Sequence, residues 1–501
     1  MRRRAWTCGL LALLLCLSLS ACRARPQGDA LSMTAPLPEP TAESGEMFLG
    51  ERREPVRRDL TLYYLTSDGL ELVPVPRAFY AEDDLALARL AAEALFTSPG
   101  GGMLPIGPTE TQVRAVERSG GLYTVDLSVD ARSAQGDQEL YLMYAAIAAT
   151  LSEIEGAEGV NVLIGGQSES VYRLPVGILS SSTDAVVSTL AQRQAESDRF
   201  LSGDPASRGS IQRQALLYFP AASGGLYLPE LRQLTFANEN YAAVLLEALQ
   251  AGPEGSGGCV SPIAPGLDTL EDAPNSAITE WGTRVLELRF TAVADEYLRS
   301  AGLSREQFAA SLTLTMCSFV PELDGVRVLI DGEPVAPAAP GTDAALGEDV
   351  HARRMYADSV GGLLTLFFAE EAGGLTAVQR VVPQLSAVSP MQALEQLFFG
   401  PLAGERCAAA LPGGVSALDV LGVDAEDGVV RVNLSGGFYR QCQPLDEAGE
   451  RRAVYAIVNT LCQLDGVNGV RLYVEGAAAD ELAESIFLRS ALLYNPGIIE
   501  D

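Results

Sequence analysis

The chain has 501 residues, 35 basic against 65 acidic, and a formal net charge of −30. Such an anion is repelled by nucleic acid and by acidic lipid surfaces, which argues against a nucleic-acid partner. Every basic residue is arginine and His351 is the single histidine, so there is no lysine for a phosphate loop or a Schiff base, only His351 could complete a Ser–His or Cys–His dyad, and a zinc site would rest almost wholly on Cys and carboxylates.

Residues 1–21 have a basic start and an apolar run that ends in small residues, the pattern of an export signal. The sequence LSAC at 19–22 resembles the lipobox of bacterial lipoproteins, which implies cleavage before Cys22 and its diacylation. Each buried acyl methylene adds about 0.8 kcal/mol of membrane affinity. The expected location is therefore the extracytoplasmic face of the cell membrane, with the lipid bilayer as a partner through acylated Cys22. Residues 22–56 are rich in Pro, Ala, Glu and Gly without period and read as a flexible stalk.

One order of features then occurs three times. An apolar strand carries paired aromatics (Tyr63 and Tyr64, Tyr218 and Phe219, Phe367 and Phe368). A Gly turn, a Leu and a lone Arg follow (Arg77, Arg232, Arg380), and then a helix that closes on Ser-Pro or Gly-Pro. Two alternating strands, a second helix and a short apolar strand complete each copy. The period exceeds a hundred residues, so whole domains are repeated rather than solenoid units. The expected domains are 57–177, 212–335 and 361–476. Between them lie linkers at 178–211, with one helix, and 336–360, and a tail at 477–501 carries a short helix at 481–493. Ser304 and Gln307 fit a capping box on the second helix of the middle copy. The expected fold class is α+β: three tandem two-layer α/β sandwiches, each hairpin-α-β-β-α-β in the split βαβ manner.

In the third copy Phe367, Arg380, Glu395, Gly400, Pro401, Val432, Leu434, Asn459, Thr460, Gly469, Val470 and Gly476 form an ordered set. That set resembles the GerMN domain of sporulation and spore-germination lipoproteins. The first copy is close, with Ser98 where Gly is usual; the second departs most, with Thr315, Met316 and Cys317 set against Asn459, Thr460 and Leu461. The resemblance implies a non-enzymatic assembly domain related to the ring-building modules of secretion machines. It implies an envelope protein as partner and neither cofactor nor metal. Two rivals are a peptidoglycan- or small-ligand-binding lipoprotein, which needs an aromatic-lined pocket, and a carboxylate hydrolase, which needs two acids facing across a cleft.

Several residues carry their own expectations. Arg77 with Glu93, Arg232 with Glu247 and Arg380 with Glu395 are expected to form ion pairs that pin each hairpin to its first helix; solvated charges are the alternative. Cys259 and Cys407 each lie six residues after a Gly-Pro proline, and Cys317 and Cys462 each lie near the end of a second helix. The first copy lacks both positions, so disulfides Cys259–Cys317 and Cys407–Cys462 are expected with Cys442 free; buried thiols, or Cys442 taking a partner, are the alternatives. Asp126, Glu287 and Asn433 are aligned on the inner strand as a polar rim. His351 is expected to be solvated in its linker. The paired aromatics are expected in the core, with a sugar-stacking platform as the alternative.

Overall fold

The computed structural model describes residues 49–499 except 181–184, 204–207, 256–257, 265–269, 271–273, 279–281, 338–345, 371–372, 384–388 and 484–485. The expected signal, Cys22 and the stalk up to residue 48 lie outside the described residues. Strand β1 (Gly50–Arg53) precedes the first repeat. That repeat consists of β2 (Val56–Leu65), β3 (Leu72–Ala81), α1 (Asp84–Leu95), β4 (Val113–Ser119), β5 (Leu122–Leu127), α2 (Asp137–Leu151) and β6 (Gly159–Ile164). After a small ribbon, β7 (Ser170–Val171) and β8 (Leu174–Pro175), helix α3 (Ala185–Phe200) falls where the linker was expected to carry one. The second repeat has β9 (Ile211–Pro220), β10 (Tyr227–Phe236), α4 (Tyr241–Ala251), β11 (Asn275–Ile278), β12 (Arg284–Phe290), α5 (Val293–Ala301), α6 (Arg305–Cys317) and β13 (Gly325–Ile330), then β14 (Glu333–Pro334) and β15 (Val350–His351). The third has β16 (Gly361–Ala369), β17 (Leu375–Pro383), α7 (Pro390–Phe399), β18 (Val420–Glu426), β19 (Val429–Leu434), α8 (Gly436–Cys442), α9 (Glu447–Leu461), β20 (Gly469–Val474) and β21 (Ala477–Ala478). The α+β order read from the sequence is thus present three times, and each repeat keeps its own apolar core.

Within each repeat the hairpin (β2–β3, β9–β10, β16–β17) forms one small antiparallel sheet. The last three main strands form another, whose final pair is parallel: β5–β6, β12–β13 and β19–β20. A parallel pair needs a crossover, which the second long helix supplies. In α2 every residue from Tyr141 to Leu151 is buried, and in α6 every residue from Phe308 to Cys317. A helix apolar on all sides belongs inside, and α2 and α6 each pack on both the hairpin and the last strand of the repeat. The capping box at Ser304 forms: its hydroxyl accepts from the Gln307 N–H at 3.1 Å, and the Gln307 side chain accepts from the Ser304 N–H at 2.8 Å.

The hairpin's first strand presents backbone donors to this helix, and one threonine takes one of them in every repeat. The N–H of Tyr63, Tyr218 and Phe367 donates to the hydroxyl of Thr150, Thr315 and Thr460 at 3.1, 3.0 and 3.2 Å. Thr315 therefore corresponds to Thr460 itself, one residue away from the alignment expected from the sequence. All three threonines are fully buried. Thr460→Val keeps the shape and removes the acceptor. It is expected to cost about 1–3 kcal/mol by stranding the Phe367 N–H, measured as a drop in the urea midpoint at unchanged m-value.

Four expectations about connecting segments are corrected. Residues 50–53 are not stalk: β1 adds parallel to β18 of the third repeat, Gly50 opposite Gly422 through Arg53 opposite Ala425. The described part of 481–493 is not helical; Leu482 and Leu488 are buried in the third core, and Leu492 bridges Val470. The 336–360 linker is not a free spacer, because β15 adds antiparallel to β13, His351 opposite Val326. His351 is consequently buried rather than solvated. Its Nε2 donates to the Val335 carbonyl at 2.6 Å, and Nδ1 meets the Tyr356 hydroxyl at 2.5 Å.

Burial pushes the His351 pKa below its ordinary value, against weaker upward pulls from the Val335 carbonyl, Glu306 and Asp349. An unfolded imidazole takes a proton below about pH 6.5 while the buried one stays neutral. Stability present above that pH is then lost as pH falls. Urea midpoints are expected to fall more steeply below about pH 6.5 in the wild type than in His351→Gln; parallel pH profiles would contradict this.

The last strands share a further feature. Val160 bridges Leu179, Val326 bridges His351 and Val470 bridges Leu492, all antiparallel. Each repeat's sheet edge is closed by its own downstream segment, so the linkers act as edge covers. The glycine that opens each last strand permits the approach. A Cβ on Gly159 would meet Ile178 Cγ2 at 2.8 Å, and one on Gly325 would meet Val350 Cγ1 at 2.6 Å and the His351 carbonyl oxygen at 2.8 Å.

Candidate interaction surfaces and inter-repeat seams

The residues singled out from the sequence fall mainly into structural roles. Glu93, Glu247 and Glu395 are exposed on their helices, and none forms the expected pair with Arg77, Arg232 or Arg380. The arginines of the second and third repeats turn instead to the end of the first helix. Arg232 donates to the Gly252 carbonyl at 3.0 Å, pairs with Glu230 and Glu254, and lies 5.9 Å from the Phe219 ring centroid. Arg380 donates to the Gly400 carbonyl at 3.0 Å, pairs with Glu405 at 2.8 Å, and lies 5.6 Å from the Phe368 ring. A cation there satisfies carbonyls that the helix leaves unpaired. In the first repeat the Tyr64 hydroxyl takes that place, donating to the Ala94 carbonyl at 2.9 Å. The acid partners thus sit beyond the helix end, as Glu254 and Glu405, or on the hairpin itself, as Glu230, rather than on the helix's exposed face.

No disulfide joins the five described cysteines, so the bridges Cys259–Cys317 and Cys407–Cys462 are absent. The packing of strand on helix explains why. Cys259 lies opposite Ala221, beyond Tyr218, whose carbonyl accepts from Ser311. Cys317 is six residues further along α6, an axial rise of about 9 Å, too far for a disulfide. In the third repeat Cys407 adjoins Ala408, which bridges Ala369, while Cys462 lies past the Thr460 that meets Phe367. Burial raises the pKa of the Cys317 and Cys442 thiols to about 12.

Asp126 and Asn433 are turn clamps, accepting from the N–H of Gly166 at 2.6 Å and of Gly476 at 2.8 Å. Strand register puts Arg289, not Glu287, at the equivalent place. The paired aromatics are core residues, at most 9% exposed.

Signals between repeats were not visible in the sequence. Arg353, 4% exposed, reaches from the linker to Glu117 of the first repeat with two contacts of 2.6 and 2.9 Å, and to the Ser318 hydroxyl of the second at 3.1 Å. Arg118 pairs with Asp465 of the third repeat, and the Ser119 hydroxyl donates to the Gly361 carbonyl at 2.8 Å. Leu122 and Ile178 pack with Leu216, Tyr218, Tyr227 and Val360 in a cluster shared between repeats. A cleft of about 740 Å³ lies between the first and second repeats, lined by Arg132, Gln167, Glu169, Arg284, Glu322 and Asp324 among others. Three of its carboxylates are engaged: Glu169 with Arg132 at 2.7 Å, Glu322 with Arg284 at 3.5 Å, and Asp324 with Gln167 at 2.5 Å.

The chain is thus a tandem-repeat α+β protein whose three similar units are joined by buried polar seams. A family model, Germane, described as sporulation and spore germination, matches residues 61–170, 216–336 and 365–480. That is more than half of the chain, and the protein belongs to this family with three copies of its domain, as the resemblance implied. Similar solved structures include the tandem GerMN domains of the sporulation protein GerM from Bacillus subtilis (17% identity, 57% of this chain, 99% of that chain, TM-score 0.23). The first GerMN domain of the same protein is 23% identical, covering 26% of this chain and 96% of that one with a TM-score of 0.23. A lipoprotein candidate from Clostridium perfringens is 21% identical over 25% of this chain and 88% of its own, with a TM-score of 0.19. No curated protein matches the chain.

Proposed function

We propose that this protein is an exported, lipid-anchored, non-catalytic assembly module of the cell envelope, serving sporulation or germination. One observation carries the reading: positions that recur across the repeats have jobs inside the fold. The threonine takes a strand N–H, the aromatics fill the core, Arg232 and Arg380 cap helix ends in the second and third repeats, and the glycines admit the edge cover. Among the described residues no helix is long and apolar enough to cross a membrane, and the tether is Cys22. Cys22→Ala is expected to abolish incorporation of labelled palmitate and to shift the protein out of the membrane fraction; retained label would refute the anchor. The assembly role predicts that protein extracted from membranes migrates above its monomer mass. A strictly monomeric protein that hydrolyses wall fragments would refute it. Binding of a wall fragment or small ligand is the second reading, favoured by the charged cleft between the first two repeats.

A further inference from the structure

The middle repeat shows what one face of these hairpins is for. Leu216 and Leu231 are cross-strand partners on β9 and β10, and Tyr218 with Pro229 is the next pair on that face. Leu216, Tyr218 and Pro229 are buried, and the face is covered by the strand ends of the first repeat. From the first repeat the cover comes from Leu122, Ile178 and Gly159, the last lying beside the Leu231 side chain; Ala310 and Leu314 of α6 and Tyr356 and Val360 of the linker complete the cluster. The first repeat has the same face. The shared threonine contact aligns Tyr63 with Tyr218, so Tyr63–Pro74 and Thr61–Pro76 occupy the equivalent pairs. There Pro74, Pro76, Ala78 and Tyr80 form an outward row that is exposed, Tyr80 at 68%.

The covering surface has its own counterpart in the third repeat. Val429 lies opposite Gly469 as Leu122 lies opposite Gly159. Ala491 sits over Gly469 as Ile178 sits over Gly159, and the neighbouring Leu493 is 65% exposed. We propose that a second copy of this chain seats the strand ends of its third repeat, with Val429, Ala491 and Leu493, on the 74–80 face of the first repeat. This contact would repeat between chains the one made inside the chain by the first and second repeats. It deepens the assembly reading and rests on it.

The two faces lie near one another, because β1 holds Arg53 beside Ala425 and so brings the base of the first hairpin to the turn between Glu426 and Val429. A two-fold pair then satisfies both contacts at once, each chain giving its third repeat and receiving on its first. The row of two prolines, alanine and tyrosine suits such an apolar contact: Arg57 and Asp59, across the hairpin from Tyr80 and Ala78, pair with each other at 3.0 Å, and the prolines offer no N–H to a stray edge strand.

Sedimentation velocity of the full chain in detergent is expected to show a dimer. Tyr80→Asp and Leu493→Asp should each weaken it at least about tenfold without lowering the melting temperature, since both side chains are exposed. A photo-crosslinking phenylalanine analogue at position 80, used in cells, should join two copies and mark the peptide that contains Leu493. A chain that is monomeric at every concentration, or a dimer indifferent to both substitutions, overturns the inference. Capture of a different envelope protein at position 80 by a monomeric chain also overturns it, while leaving the assembly reading intact.

Discussion

Arg353→Ala is expected to destabilise the protein by about 3–5 kcal/mol and to split its unfolding into separate steps. The guanidinium is almost fully buried and holds Glu117 through two contacts, with Ser318 on its remaining face. Removing one member of a buried pair strands the other charge away from water, which costs more than the pair contributes. Glu117 belongs to the first repeat and Ser318 to the second, so the loss falls on the seam rather than on any one core. Calorimetry should therefore show the broad or divided transition of loosely coupled domains in place of a single sharp one. Arg353→Lys is expected to restore little, because an ammonium cannot make the paired contacts of a planar fork. A single transition at wild-type temperature in Arg353→Ala would show that the seam is held elsewhere.

Gly325→Ala should cost about 1–3 kcal/mol, whereas Gly469→Ala should cost distinctly less. Neither glycine lies in the left-handed region, so backbone strain is not the cause. The difference is one of space: the added Cβ would lie 2.6 Å from Val350 Cγ1 and 2.8 Å from the His351 carbonyl oxygen at position 325, against 3.3 Å from Ala491 and from the Leu492 carbonyl oxygen at position 469. The tail at 491–492 gives way by the few tenths of an ångström that a 3.3 Å contact asks. A strand paired to β13 and anchored by His351 does not. Hydrogen exchange at residues 350–351 should quicken in Gly325→Ala, and urea midpoints should rank the two variants in this order. Equal costs would mean that the edge cover is as soft in the second repeat as in the third.

Where the fold departs from what its sequence suggests, the cause is physical. Thr315 stands one residue from its expected alignment and Arg289 holds the place expected of Glu287, because short apolar runs look alike when shifted and only the hydrogen-bonding partner fixes the phase. The arginines recur as expected, but a side chain that long reaches a helix end as readily as a helix face, so recurrence alone does not fix their partners. Two pairs of cysteines at matched positions suggested bridges, yet position along a helix axis, not matched recurrence, sets the distance. His351 looked solvated because a linker's composition gives no sign that it will close a sheet edge.

By itself the sequence determined the triplication, the order of strands and helices in each copy, the family and the aromatic core. These follow from local periodicity, turn chemistry and burial, which a single chain displays residue by residue. The tertiary structure alone decided that the linkers and tail seal sheet edges, that a strand before the first repeat joins the third, and that buried arginine pairs join the copies. The contacts between copies span more than two hundred residues, and all of these contacts depend on surfaces meeting after each core has formed, so no local pattern records them.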